Sequence, residues 1–175
     1  MIEPEVRIRR CADLTTAERE QVGELLRTVF TVDEPGHDWQ WAIDDWDVMV
    51  WVGERLVSRL GLVERIARGG EREVRLTGVG GVGTLPDARR RGYAALALRA
   101  AERFLRDELR ADFGLLICAE KRIPFYGRLG WRVVGGPVVF EQPGGKRTLA
   151  GTAMALPGTK SDWPDGVIDL CGLPW

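Results

Sequence analysis

The sequence predicts a single α/β (α+β) domain: a mixed, mostly antiparallel central sheet of about seven strands with helices on both faces. Three observations predict it. Two stretches carry apolar residues at helical spacing, one before and one after a block of strand-like segments. That block, Val48–Thr84, is cut by glycine-containing turns into three segments that read as an antiparallel meander. Beyond the second helical stretch, Phe113–Ala119 is a nearly continuous apolar run, the pattern of a strand buried on both faces.

Taken in order, residues 5–10 (Glu-Val-Arg-Ile-Arg-Arg) alternate as a half-exposed strand does. Thr15-Thr16-Ala17-Glu18 is a capping box, in which the Thr15 hydroxyl takes a first-turn N–H and Glu18 reaches back. Val22, Leu25, Leu26, Val29 and Phe30 follow at helical spacing, so a helix is expected over about 15–30. The acidic segment 31–47 lacks clean periodicity, contains Pro35-Gly36 and reads as a loop with room for a short helix. Val48–Gly53 and Leu56–Arg68 pair across Gly53-Glu54, and Gly69-Gly70 turns the chain into Arg72–Thr84. Residues 92–110 form a helix with Ala94, Leu98, Ala101, Leu105 and Leu109 on one face. A short helix over 121–129 ends at Gly130. Strands Trp131–Glu141 and Arg147–Leu156 flank the turn Pro143-Gly144-Gly145-Lys146, and the Pro- and Gly-containing tail 157–175 is expected to be irregular.

Composition excludes several function classes. With 25 Lys+Arg against 26 Asp+Glu the net charge is −1, unlike that of a general nucleic-acid binder. No apolar run reaches membrane-span length. The acidic start Met1–Glu5 has no secretory core, and the three cysteines (Cys11, Cys118, Cys171) form no CxxC pair; a reduced, cytoplasmic setting is expected. A single histidine, His37, removes most zinc-enzyme schemes and Ser-His-Asp catalysis, so no metal is expected. The charges are nonetheless segregated. Residues 28–54 hold seven acids and no base, residues 55–132 hold 17 bases against nine acids, and only acids follow Lys160. This suits one anionic and one cationic ligand; the competing reading is a set of solvated faces.

The chemistry concentrates in Val79-Gly80-Gly81-Val82-Gly83-Thr84-Leu85-Pro86-Asp87-Ala88-Arg89-Arg90-Arg91-Gly92-Tyr93-Ala94, a strand leading through a basic loop into a helix. Free N–H groups at a helix N-terminus bind anions, the small Gly92 and Ala94 let a diphosphate approach, and three arginines add charge. Arg89–Ala94 resembles the pyrophosphate loop of the GNAT acetyltransferase superfamily, Arg/Gln-x-x-Gly-x-Gly/Ala. Pro124-Phe125-Tyr126-Gly127-Arg128-Leu129-Gly130-Trp131 resembles that superfamily's FYxxxGF/W segment, and the expected order of elements is also its order. The resemblance implies acetyl-CoA as co-substrate, held by Val82, Gly83, Thr84, Arg89, Arg90, Arg91, Gly92, Tyr93 and Ala94. It also implies a backbone donor near Val82 for the thioester oxygen and Tyr126 as proton donor to sulfur. The strand at Val82 must then bulge or splay from its neighbour, which Gly80, Gly81 and Gly83 permit.

A finer resemblance is to aminoglycoside 2'-N-acetyltransferases, carried by Asp38-Trp39, by Val79-Gly80-Gly81-Val82 and by the ending in tryptophan. It implies that the tail 157–175 completes the active site, with the Trp175 carboxylate as base and Asp38, Trp39, Asp169 and Trp175 contacting a cationic acceptor. That family's fourth-strand glutamate falls at Gly80 here, and its acid two residues before the end falls at Leu173. Ser161–Asp169 is similar to a C-terminal segment of the nodulation N-acyltransferases. The resulting expectation is acetyl transfer to an amino sugar or aminoglycoside by direct attack. The alternatives are a longer acyl donor, or a non-catalytic acyl-CoA-binding module. Superfamily members often pair through the last strands and the tail, which makes a homodimer one form to consider. Cys118, on a buried strand, reads as packing, as do Trp41 and Trp46, and His37 as exposed.

Overall fold

The structure, a computed structural model, describes residues 2–30 and 39–175. β1 (Pro4–Arg10) leads into α1 (Thr16–Val29) through the expected capping box. The Glu18 N–H donates to the Thr15 hydroxyl at 3.2 Å, and the Thr15 N–H donates to the Glu18 carboxylate at 2.9 Å. β2 (Trp46–Val52), β3 (Arg55–Gly69) and β4 (Arg72–Thr84) form the antiparallel meander, which β1 extends alongside β2. α2 (Tyr93–Asp107) crosses over to β5 (Phe113–Cys118), which runs parallel to β4, and α3 (Ile123–Gly127) follows.

Alternation along the strands sends apolar side chains to two covered faces. Val48, Val50, Leu60, Leu62 and Val79 pack against Ala97, Leu98, Ala101 and Leu105 of α2. Met49, Trp51 and Leu56 pack on the other face against Val22 and Leu25 of α1. Farther along that second face, Val63, Leu76, Leu115 and Phe140 close over Trp175. Among the described residues, no helix is long and apolar enough to cross a membrane.

Past α3 the structure departs from the expected long hairpin. The stretch 131–141 splits into β6 (Arg132–Val133), which pairs with β9 (Thr152–Pro157), and β7 (Val138–Phe140), which pairs with β8 (Arg147–Thr148). Gly136, at φ 88 and tight against the Gly166 carbonyl, breaks the strand between them. The turn at 143–146 does form, but only two residue pairs close behind it. Nor is the tail irregular throughout. β10 (Ile168–Asp169) inserts between β3 and β7, antiparallel to the first and parallel to the second, with Ile168 and Leu170 buried. Among the described residues the sheet therefore holds ten strands.

Candidate active site

β4 and β5 are neighbours only over Leu76–Gly78 and Phe113–Leu115. Beyond that, β4 continues to Thr84 against β3 alone, and the two strands part in a wedge. The register of β4 on β3 also jumps, from Gly61↔Gly80 to Arg59↔Gly83. Gly81 and Val82 both face Leu60, and Gly81 takes φ 56, the left-handed value of a bulge residue. The splay and the bulge expected near Val82 are both present.

Trp175 occupies this wedge. Its indole is buried, and Nε1 donates at 3.1 Å to the carbonyl of Leu115, the β5 residue of the last β4–β5 pair. A side chain at Gly78 would collide with the indole, and a Cβ at Gly80 would lie 2.9 Å from the Trp175 carboxyl carbon. The space a side chain at Gly80 would use is thus filled by Trp175. The approach to Trp175 is well anchored. The Pro174 carbonyl accepts from the Ala42 N–H at 2.7 Å, the Gly172 carbonyl from the Glu141 N–H at 2.9 Å, and the Leu173 carbonyl from Arg65 at 3.3 Å. Asp169 ties down the turn before it, accepting from the Cys171 N–H at 2.9 Å and pairing with Lys146. Its carboxylate thus joins the tail backbone to Lys146 of the 143–146 turn.

On the anionic-ligand side, Gly92 caps α2 at φ 82 with no side-chain cap, and the half-buried Tyr93 and Ala94 open the first turn. The N–H groups of that turn have no intrahelical acceptor, which suits a diphosphate. Arg90 and Arg91 are exposed beside them, Arg90 itself at φ 63, while Arg89 donates to the Thr84 carbonyl at 3.2 Å. The half-buried Val82 and Thr84 lie on the path to this turn, and buried Gly83 packs against Leu25 and Val29 of α1. The residues present fit an acyl-CoA laid from the wedge to α2.

Tyr126, on α3, is buried and packs edge-on against Phe125 and Trp131, with ring centroids 5.1 and 6.4 Å away. Burial, and secondarily the neighbouring Cys118, pushes its phenol up to about 12, so it keeps its proton at neutral pH. Cys118 lies 3.7 Å from the Met154 sulfur, a packing contact.

The acceptor side holds residues that sequence reasoning passed over. The Asp44 carboxylate covers Gly61, which pairs with Gly80, so Asp44 and the Trp175 carboxyl stand over neighbouring strands on one face. Burial pushes the Asp44 carboxyl up, against the pull of Arg59, which donates to it at 2.8 Å. A register argument could have found it: glycines facing each other across β3 and β4 leave an opening that a nearby acid can fill. Asp38 and His37 lie outside the described residues. Trp39 packs on Phe140 and Trp41, at 4.8 and 5.6 Å between rings. Trp46 packs on Phe104 at 4.8 Å and donates to Glu64 at 2.9 Å.

The comparisons with known proteins agree with this geometry. Residues 10–134 match the family model described as an acetyltransferase (GNAT) domain. No curated protein matches the sequence. Among solved structures, the chain is similar to Escherichia coli ElaA (TM-score 0.63, 17% identity, 88% of this chain and 99% of that one). It is similar to an acyl-CoA N-acyltransferase from Pseudomonas aeruginosa (TM-score 0.62, 21% identity, 88% and 99%). It is also similar to FeeM, an N-acyl amino acid synthase from uncultured soil microbes (TM-score 0.59, 15% identity, 90% and 93%). With a family model spanning most of its length and a splayed, bulged β4 at the centre of its sheet, the chain belongs to the GNAT acetyltransferase family.

Proposed function

We propose that the protein moves an acetyl group from acetyl-CoA to a primary amine of a small cationic acceptor, an amino sugar or aminoglycoside, by direct attack. One observation supports this above the others: two carboxyl groups, of Trp175 at Gly80 and Asp44 at Gly61, stand beside the β4 bulge. An amine attacks a thioester only as the free base. In this reading Asp44 draws in the ammonium, with Asp38 and Trp39 as further acceptor contacts. The Trp175 carboxylate accepts its proton, directly or through a water. As the C–N bond forms, the Val82 N–H receives the developing oxyanion. The C–S bond breaks while Tyr126 faces the sulfur. A phenol raised to about 12 gives the departing thiolate a strong hydrogen bond. The nitrogen loses two protons, one before attack and one as the tetrahedral intermediate collapses, of which one ends on the thiol and the other leaves to solvent. The first-turn amides of α2, with Arg90 and Arg91, hold the diphosphate. Asp169 contributes through the turn that carries Trp175.

The test is release of free thiol from acetyl-CoA with a panel of aminoglycosides, amino sugars and polyamines. Turnover with amino sugars or aminoglycosides is expected. No turnover with any amine, despite CoA binding, would overturn the reading in favour of a non-catalytic module; turnover with long-chain but not acetyl donors would reassign the donor.

A further inference from the structure

Arg59 is a buried cation that neither the fold nor the proposed chemistry has so far required. Its side chain is 2% exposed, on the β3 residue where the register of β4 jumps. Nε donates to Asp47 at 2.7 Å, and Nη2 reaches both Asp47 and Asp44. Asp47 is itself buried, and its other oxygen accepts from the Cys11 thiol at 3.1 Å. Both aspartates are engaged through Nε and Nη2, whereas Nη1 is turned to the bulge, 2.6 Å from where a Cβ of Gly81 would stand. Burying a cation and its partners costs more than an apolar side chain of the same volume would, so stability alone is a poor reason for an arginine here.

We propose that Arg59 is a positioning residue for acyl transfer. Its Nη1 edge backs the Gly81–Val82 bulge and holds the Val82 amide at the angle that receives the thioester oxygen. This rests on the acyl-CoA reading above. The fork geometry is what the position uses: Nε and Nη2 are clamped by two carboxylates from the β2 side, which aims Nη1 at a backbone that would otherwise be free to flatten into regular pairing. Gly81 is required for the same reason, since any side chain there would displace the guanidinium.

The experiment reads the infrared band of the thioester carbonyl in carbonyl-labelled acetyl-CoA bound to the protein, together with kcat, CoA affinity and thermal stability. The wild type should shift the band to lower frequency. The double variant Arg59→Met/Asp47→Asn, which leaves no unpaired buried Asp47 charge, should return it toward the solution value. Its kcat should fall by about 10–100-fold, below the loss of a whole oxyanion donor because the amide remains present. CoA affinity should be unchanged. An unshifted band in the wild type would refute the acyl-CoA site itself, independently of Arg59. A folded double variant that keeps both band and kcat would reduce Arg59 to a structural residue. If the double variant fails to fold, Arg59→Lys decides, because it keeps charge and volume but lacks the fork: the band should still relax, and a retained shift would overturn the proposal.

Discussion

Trp175→Ala separates what the end of the chain does for stability from what it does for chemistry. The residue is 9% exposed, so nearly its whole side chain leaves water on folding. A tryptophan buries about 150–250 Å², which at ~25 cal/mol per Å² gives roughly 4–6 kcal/mol as an upper figure. The Nε1 bond to Leu115 adds about 1 kcal/mol. Against this stand the rotamer freedom regained and the partial collapse of the wedge around Gly78 and Gly80, leaving an expected loss of ~3–5 kcal/mol. For a chain of this size that lowers Tm by about 10 °C, measured by circular dichroism. Two companions complete the test. Trp175→Phe should keep most of the stability, losing about 1 kcal/mol with the indole N–H. A short Gly-Ser extension after Trp175 should leave Tm and CoA binding near wild type and abolish turnover, because it moves the charge and spares the ring. A loss below ~1 kcal/mol for Trp175→Ala would refute the wedge, since that is the range of an ordinary surface change. Full activity in the extended protein would remove the carboxylate from the scheme.

Three further outcomes follow from groups already described. Tyr126→Phe should lower kcat by about 10–100-fold with CoA affinity unchanged; because burial raises the phenol to about 12, the wild-type rate should show no descending limb from Tyr126 below pH 10, and such a limb would mean the phenol ionises early. Glu18 is held below the usual carboxylate range chiefly by the Thr15 N–H, so its contribution is present above about pH 4.3 and is lost as pH falls through its lower folded value. Glu18→Gln should therefore cost about 1 kcal/mol at pH 7 and much less at pH 3; an equal loss at both would refute the charged cap. In a thiol titration of the native protein, exposed Cys171 should react first. Burial pushes the Cys11 and Cys118 thiols up and slows them, and three equal rates would contradict this.

How much of the protein was legible in its sequence depended on how local the cause was. The Thr15–Glu18 box, the apolar face of α2 and the unbroken run of β5 are decided within a few residues, and each formed close to its expected bounds. The bulge in β4 was expected from the family resemblance, which needs a free donor near Val82, and the glycines of that strand permit it. β10 was invisible: two residues have no period, and their strand exists only because β3 and β7 lie on either side. Individual partners in the acidic stretch 28–54 were hidden for a similar reason. Asp47 is held by the buried Arg59 and Asp45 accepts the Glu64 N–H at 2.8 Å, contacts with β3 that a count of charges along the chain does not show. Asp44 reaches the candidate site through its tie to Arg59, 15 residues away, a contact that only the folded meander creates.

The parting of β4 from β5 has a consequence for self-association. A sheet that opens in its middle has two inner margins with backbone donors and acceptors to satisfy, and such margins invite strands from other molecules. Three features blunt the invitation: the bulge twists one margin, glycines deny it side-chain grip, and the indole of Trp175 caps the other at Leu115. Beyond the indole, the natural cover is the ligand. Occupancy should then protect the protein from self-association as well as from unfolding, with the temperature at which it clouds rising with the logarithm of CoA concentration.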